Sequence, residues 1–286
     1  MTRRSTTSRR RPSAHARRPR PPLRRRVRRA LPAPGRIAAG VLTAVLVGGL
    51  LALVNGPWLR VGRVAWAGER YTPASQLERV LAPLDGTALL AVDATAVVAK
   101  LQRLPAVSRA TVEAVLPDAV RVHIVEKVAA VVWQTTAVRL VGDADGTLIA
   151  QLALDAELPA DLAALPLIDD RRVQARSLIV GDVIDPSTLA AALRLSAVEP
   201  AALGSAAVEL GVRLTDDDGF LLVSDQPIWQ ADFGLYPDSD SGQPAALQER
   251  VEAQVTAVRT LFSFEGEEGK ISWVDVRDPR RVYWRP

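Results

Sequence analysis

A block of arginines followed at once by an uncharged apolar run limits what this chain can fold into. Ile37 to Val54 are eighteen residues drawn from Ile, Ala, Gly, Val, Leu and one Thr. As a helix they would span about 27 Å, close to the hydrocarbon core of a bilayer, which is about 30 Å thick. The run is apolar on every face, which suits lipid or a buried core and does not suit a surface helix. We therefore expect a transmembrane helix over residues 37–54.

Two alternatives to a permanent anchor are a cleaved secretion signal and a buried helix of a soluble core. The apolar part of a signal peptide is shorter, and it ends in small residues of the A-x-A type. Here the exit offers only Ala52-Leu53-Val54, a poor match, and Trp58 lies where aromatic residues anchor to headgroups. Because positive charge stays cytoplasmic, we expect a single-pass type II protein of the cell membrane, with residues 55–286 outside the cytoplasm.

The charge of the chain is divided unevenly between its tail and the remainder. The whole sequence has 36 basic and 32 acidic residues, but residues 1–36 hold fourteen arginines and no acid. The remaining residues are therefore acidic, which argues against a globular nucleic-acid binder. The Arg/Pro-rich tail over residues 1–36 cannot bury a core, so we expect it to be disordered and cytoplasmic. Membrane topology and attraction to anionic lipid explain the positive charge of the tail. A separate ligand for the tail is an alternative that the sequence leaves open.

Nothing in the sequence indicates catalysis. There is no cysteine, and the two histidines, His15 and His123, are far apart in the chain. Motifs for a serine nucleophile, a zinc protease or a phosphate loop are absent. Asp169-Asp170 and Glu267-Glu268 are interpreted as solvated loop carboxylates. We predict no catalytic residue, no metal site and no cofactor, and hence that the protein is not an enzyme.

The segment over residues 61–129 predicts a small domain with the order β-α-α-β-β. A short strand around Val64 is followed by two helices with stripes of apolar residues at helical spacing. Thr72 is the predicted N-cap of the first helix and Asp93 of the second. Two alternating strands around Val112 and Val122 complete the domain.

This segment resembles the POTRA domain of the bacterial cell-division family FtsQ, called DivIB in some lineages. The resemblance is carried by short motifs in order: Val64…Gly68, Leu104-Pro105-x-Val107, Ala110-x-Val112, Leu116-Pro117, and Val120, Val122, Ile124 with Glu126-Lys127. Departures are Glu69 for Asn, Lys127 for Arg and Val128 for Pro. None of them affects the pattern of core residues.

Residues 130–286 predict a β domain that is mostly antiparallel, with flanking helices. Hairpins surround Asp143–Gly146 and Asp216–Gly219, where turn chemistry explains the aspartates better than a calcium loop does, because each cluster lies between strands. Helices are expected over 186–198 and 244–262, and two short strands end the chain. The fold class is therefore α+β: a single N-terminal transmembrane helix, a POTRA domain and this β domain.

The second half also resembles FtsQ, at Asp143–Leu148 and at Val274-Asp275-Val276-Arg277. The resemblance implies that the terminal strands form a sheet edge to which a strand of the partner FtsB adds. The candidate partner-binding residues are Val274, Val276, Val282, Tyr283 and Trp284. The alternative for Tyr283 and Trp284 is that both rings cap the core.

The resemblance implies a scaffold of the division apparatus, concentrated at the septum. Its implied partners are other divisome membrane proteins, of the FtsB/FtsL kind and from septal peptidoglycan synthesis. It would recruit and regulate them without binding nucleic acid or a small-molecule substrate. The alternative function is a membrane-anchored POTRA adaptor in protein export or envelope assembly. A tethered wall hydrolase and an anchored DNA-binding regulator are weaker alternatives, because the sequence offers no nucleophile and no folded basic module.

Overall fold

The computed structural model describes residues 34–236, 244–265 and 268–286. It divides into two compact units, residues 1–51 and residues 52–286. The predicted tail over residues 1–36 lies outside the described residues except for its last three positions.

The first unit contains most of helix α1, Pro34–Asn55. Its described side chains, at residues 38–52, are all exposed. Among the described residues, no helix has both the length and the hydrophobicity needed to cross a membrane. The transmembrane prediction for residues 37–54 reaches beyond the described side chains at both ends, and it stays a prediction.

The first part of the second unit is a three-stranded sheet covered on one face by two helices. Its elements are β1 (Arg63–Ala67), α2 (Ala74–Leu81), α3 (Ala94–Leu101), β2 (Val107–Val115) and β3 (Ala119–Glu126). The spatial order is β1-β3-β2, with β1 parallel and β2 antiparallel to β3. Leu77, Leu81 and Leu101 of the helices pack on Val120 and Val122 of the central strand. The predicted order β-α-α-β-β is therefore the observed one.

Local chemistry explains the ends of these elements. Gly68 follows β1 with φ +97°, and a Cβ placed there would lie 2.0 Å from the carbonyl oxygen of Ile124, so this position requires glycine. Asp93 caps α3 as predicted, since its carboxylate accepts from the Ala96 N–H at 3.0 Å. The prediction for Thr72 was wrong. Helix α2 begins at Ala74 with Pro73 as its N-cap, and the buried Thr72 hydroxyl makes no hydrogen bond among the described residues, so it caps no helix N–H.

A nine-stranded sheet forms the second part of this unit. Its strands are β4 (Ala129–Gln134), β5 (Val138–Asp143), β6 (Leu148–Ala153), β7 (Leu167–Asp170), β8 (Gly211–Thr215), β9 (Gly219–Asp225), β10 (Ile228–Gly234), β11 (Trp273–Asp275) and β12 (Tyr283–Arg285). The spatial order is β12-β11-β10-β9-β8-β7-β4-β5-β6. Five of the eight neighbouring pairs are antiparallel, so the sheet is mostly antiparallel, as predicted.

Helices cover the sheet unevenly. They are α4 (Ala160–Ala163), α5 (Pro186–Ser196), α6 (Pro200–Leu203) and α7 (Pro244–Glu265). The largest core lies between one sheet face and α5 to α7, and it contains Trp133, Phe220, Trp229 and Phe233. A smaller cluster on the opposite face joins Val132, Val141 and Ile149 to Leu162 of α4 and to Ala106, which precedes β2.

The interpretation of Asp169-Asp170 as solvated loop carboxylates was wrong, whereas that of Glu267-Glu268 is tested only at Glu268, which is partly buried. Asp169 and Asp170 lie in β7, and Asp170 is fully buried between the Trp133 ring N–H and the Arg172 guanidinium. Glu268 accepts from the Trp229 ring N–H at 2.5 Å, and Glu267 lies outside the described residues. Burial of these carboxylates is compensated by donors that are distant in sequence or that follow the strand.

Candidate partner-binding edge

The C-terminal strand β12 is the last strand of the nine-stranded sheet. It pairs antiparallel with β11, with Val274 opposite Trp284 and Asp275 opposite Tyr283. No strand pairs with its outer side in the part of the chain that the structure describes. The outward backbone groups of β12 are therefore open to pairing with a strand from another chain.

The five predicted partner-binding residues fall into two groups. Val274 and Val276 are completely buried in the core, so they hold the edge in place and present no surface. Val282 is half-buried against the same core. Tyr283 is 61% exposed and Trp284 is 39% exposed. The two rings stand on opposite faces of the edge strand, Trp284 beside the buried Val274 and Tyr283 beside Asp275.

A shallow apolar groove runs beside this strand, on the face that carries α7. Its volume is about 380 Å³. It is lined by Ala253, Thr256, Ala257, Thr260, Leu261, Phe264, Pro279 and Val282. Phe264 is 84% exposed at the end of the groove. A strand added to β12 would therefore place its alternate side chains over an apolar surface.

Gln254 fixes α7 against the strands that form this edge. Its side chain is fully buried, and its Nε2 donates to the carbonyl oxygens of Phe233 and Val276, each at 2.9 Å. Its Oε1 accepts from the Tyr236 hydroxyl at 2.8 Å. Every donor and acceptor of the amide is used, so the helix, β10 and the end of β11 are joined by one side chain.

The other face of the edge carries charge. The Arg285 guanidinium lies 4.7 Å from the centre of the Trp273 ring, and the Trp273 ring N–H donates to Asp232 at 2.9 Å. Burial raises the pKa of Asp232 to about 6, against the opposing hydrogen bond from Trp273. Hydrogen bonds from Arg277 lower the pKa of Asp275. One carboxylate here is thus easily protonated, whereas its neighbour stays ionised.

The opposite end of the sheet is closed in part by the chain itself. The Leu148 N–H of β6 donates to the Asp182 carbonyl oxygen at 2.8 Å, and the Gly181 N–H donates back to the Leu148 carbonyl oxygen at 2.8 Å. Thr147 also forms a bridge with Val183. Of the two ends of the large sheet, β12 is therefore the one with no backbone pairing on its outer side among the described residues, whereas β6 is covered at its first residue.

Sequence reasoning missed several residues of this region. Gln254 and Trp273 act through hydrogen bonds to residues far away in sequence, and Phe264 lines the groove together with Pro279 and Val282. A polar residue among the apolar positions of α7 was the available signal for Gln254, since a buried amide must find partners. Among the described residues, no group of three or more His, Cys, Asp or Glu is placed to hold a metal ion.

Comparison with known proteins bears on both halves of the second unit. Residues 59–127 match the model of the POTRA domain, FtsQ-type. The cell division protein FtsQ of Chloroflexus aggregans is 28% identical to the chain over 177 residues. These matches show that the chain is similar to proteins of the FtsQ/DivIB family, and they support the resemblance seen in its motifs. The aligned region covers 62% of this chain and 62% of that relative, so the chain spans less than two thirds of the length of the FtsQ relative that it matches.

Proposed function

We propose that this chain is a non-enzymatic scaffold of the bacterial division apparatus, anchored in the cell membrane, which recruits other division proteins through its POTRA and β domains. The observation that carries the proposal is the uncovered β12 edge beside the groove under Phe264. The FtsQ-type POTRA domain and the FtsQ relative support a role in cell division.

The mode of recruitment is strand addition. The partner supplies an extended segment whose main chain pairs with β12. Its side chains on one face enter the α7 groove on the side of Trp284, and those on the other face contact Tyr283. Main-chain pairing supplies affinity and the groove supplies specificity. Aromatic residues such as Tyr283 and Trp284 are frequent anchors of such interfaces. The partner is a division protein of the FtsB/FtsL kind.

The anchor and the topology rest on the sequence. Residues 37–54 form the single membrane span, and the arginines before it keep the amino terminus in the cytoplasm. Both folded domains then lie outside the cytoplasm. Restriction to the membrane plane raises the effective concentration of other anchored division proteins.

The experiment is co-purification of the full chain with the FtsB/FtsL-like proteins of the same organism. The double variant Tyr283→Asp/Trp284→Asp places two charges on the edge strand and should abolish co-purification. The control is Ile228→Asp, because Ile228 is 80% exposed and lies in β10, away from the edge. Equal thermal unfolding of the two variants shows that the fold is intact. Retained binding by the double variant would refute the proposal.

Localisation separates the division scaffold from an export adaptor. A fluorescent fusion of the full chain should form a band at mid-cell in dividing cells, and the double variant should fail to bring its partner to that band. Uniform labelling of the envelope would instead favour an adaptor in export or envelope assembly.

A further inference from the structure

The first sheet has an uncovered edge of its own, strand β2, which the proposed partner-binding edge does not use. Among the described residues, β3 is the strand that pairs with β2, and its other side has no neighbour. The register shifts between Val107 and Arg109, where a bulge interrupts the ladder. The regular part of this edge therefore begins at Arg109.

The outer face of β2 carries a symmetric pair of opposite charges. Arg109, Thr111 and Glu113 are all exposed, and their side chains point away from α2 and α3 because Ala110, between them, is buried in the core. Within the described residues, neither Arg109 nor Glu113 has an ion-pair partner. Arg109 lies two residues before Thr111, and Glu113 lies two residues after it.

This spacing is self-complementary. If two copies of β2 pair antiparallel about a two-fold axis at Thr111, Arg109 of each copy stands opposite Glu113 of the other. One axis thus forms two ion pairs across the strands. Within each copy Glu113 also stands opposite Arg121 of β3, so the charges alternate in sign across the joined sheets. An arbitrary partner strand would have no reason to match this symmetry.

We propose that β2 is a homotypic interface, at which a second copy of this chain pairs through residues 109–113 in antiparallel register about Thr111. The segment is short and its edge is bulged, so the pairing is weak in dilute solution and forms where copies are concentrated. It is independent of the β12 edge, and a failure of one leaves the other intact.

The absence of cysteine from the chain makes a direct test possible. Thr111→Cys in the full chain, produced in cells and treated with a mild oxidant, should give a disulfide-linked dimer, because opposed residues of an antiparallel pair lie about 4.5–5.5 Å apart at Cα, within disulfide range. The control is Ala65→Cys, exposed on the same sheet face in β1. Cross-linking of Thr111→Cys no greater than that of Ala65→Cys would overturn the proposal.

Charge reversal tests the register. In the Thr111→Cys background, Arg109→Glu replaces both ion pairs of the dimer by pairs of acids. Glu113→Arg replaces both by pairs of bases. Each variant should therefore lower the cross-linked fraction about tenfold. Co-production of the two variants restores both ion pairs and should restore a mixed dimer. Unchanged cross-linking in the single reversals, or no recovery in the mixture, would contradict the pairing. Co-purification with the FtsB/FtsL-like partner should be unchanged in all of them.

Discussion

A single buried polar residue, Gln254, fixes α7 beside the candidate partner-binding edge. Gln254 connects α7 to two carbonyl oxygens and one hydroxyl in the core. An apolar substitute would leave these groups buried without partners, and each such group costs about 1–3 kcal/mol. The position of the groove therefore depends on one amide.

Gln254→Leu should lower the free energy of unfolding of a fragment of residues 56–286 by about 3 kcal/mol. The matched control is Gln248→Leu, in the same helix but exposed, which should change it by less than about 0.5 kcal/mol. Urea denaturation of both variants measures the difference. Equal stabilities would show that the buried amide does not hold α7 in place.

Asp232 makes the stability of the fold depend on pH, and the direction of this dependence follows from its pKa. Its folded pKa of about 6 lies above the ordinary value of about 3.9, so the folded state binds the proton more tightly than the unfolded state does. Stability from this group is therefore full at low pH and is lost as pH rises from about 4 to about 6. The contribution of Asp275 to stability changes with pH in the opposite direction. Arg277 lowers the pKa of Asp275, so this contribution is lost only in acid.

Asp232→Asn should remove this loss, since the amide oxygen can still accept from the Trp273 ring N–H. We expect the fragment to gain up to about 3 kcal/mol at pH 7.5, and its stability to vary less between pH 4 and 6. Asp225→Asn, at an exposed position of β9, is the control. An unchanged pH profile in Asp232→Asn would contradict the assignment of the raised pKa to this carboxylate.

At the level of the element, the strand β3 ends in a carboxylate that organises the loop before α2. Glu126 accepts from the backbone N–H groups of Arg70, Tyr71 and Thr72 at 2.7–2.9 Å. The next residue, Lys127, pairs with Asp143 in the large sheet at 2.7 Å. Glu126 thus binds the loop before α2, and Lys127 binds the large sheet. These two contacts explain the Glu-Lys pair at this point of the sequence.

Glu126→Ala should destabilise the fragment by about 2–3 kcal/mol, because three backbone donors lose their acceptor. Glu78→Ala, exposed in α2, removes a carboxylate without a comparable set of partners and should be nearly neutral. Thermal unfolding compares the two. A neutral Glu126→Ala would mean that water replaces the carboxylate in the loop.

Elements with a regular apolar period were predictable from the sequence. The stripe of α7 is one example: Val251, Val258 and Phe262 are buried. Strands β7 and β10 were missed, because each carries a buried aspartate, Asp170 or Asp232, a residue type that is depleted in strands. Those donors include Trp133 and Trp273, which lie 37 and 41 residues away. Residues that act through distant partners leave no local pattern.

At the level of the whole molecule, two of the edge strands that the structure describes in the second unit differ in their chemistry. The edge at β12 has an aromatic pair and an apolar groove, which suits a different protein. The edge at β2 has a symmetric charge pair, which suits a second copy. The proposed scaffold function would use such separate surfaces, because one copy could then bind a partner and a second copy at the same time.

Hydrogen exchange at the β12 amides tests strand addition most directly. In the fragment alone, the amides of Tyr283, Trp284 and Arg285 that point away from β11 should exchange rapidly. With the FtsB/FtsL-like partner bound, we expect these amides to become protected, and those of β6 to remain unchanged. Binding of the partner at full occupancy without any added protection at residues 283–285 would contradict recruitment through this edge.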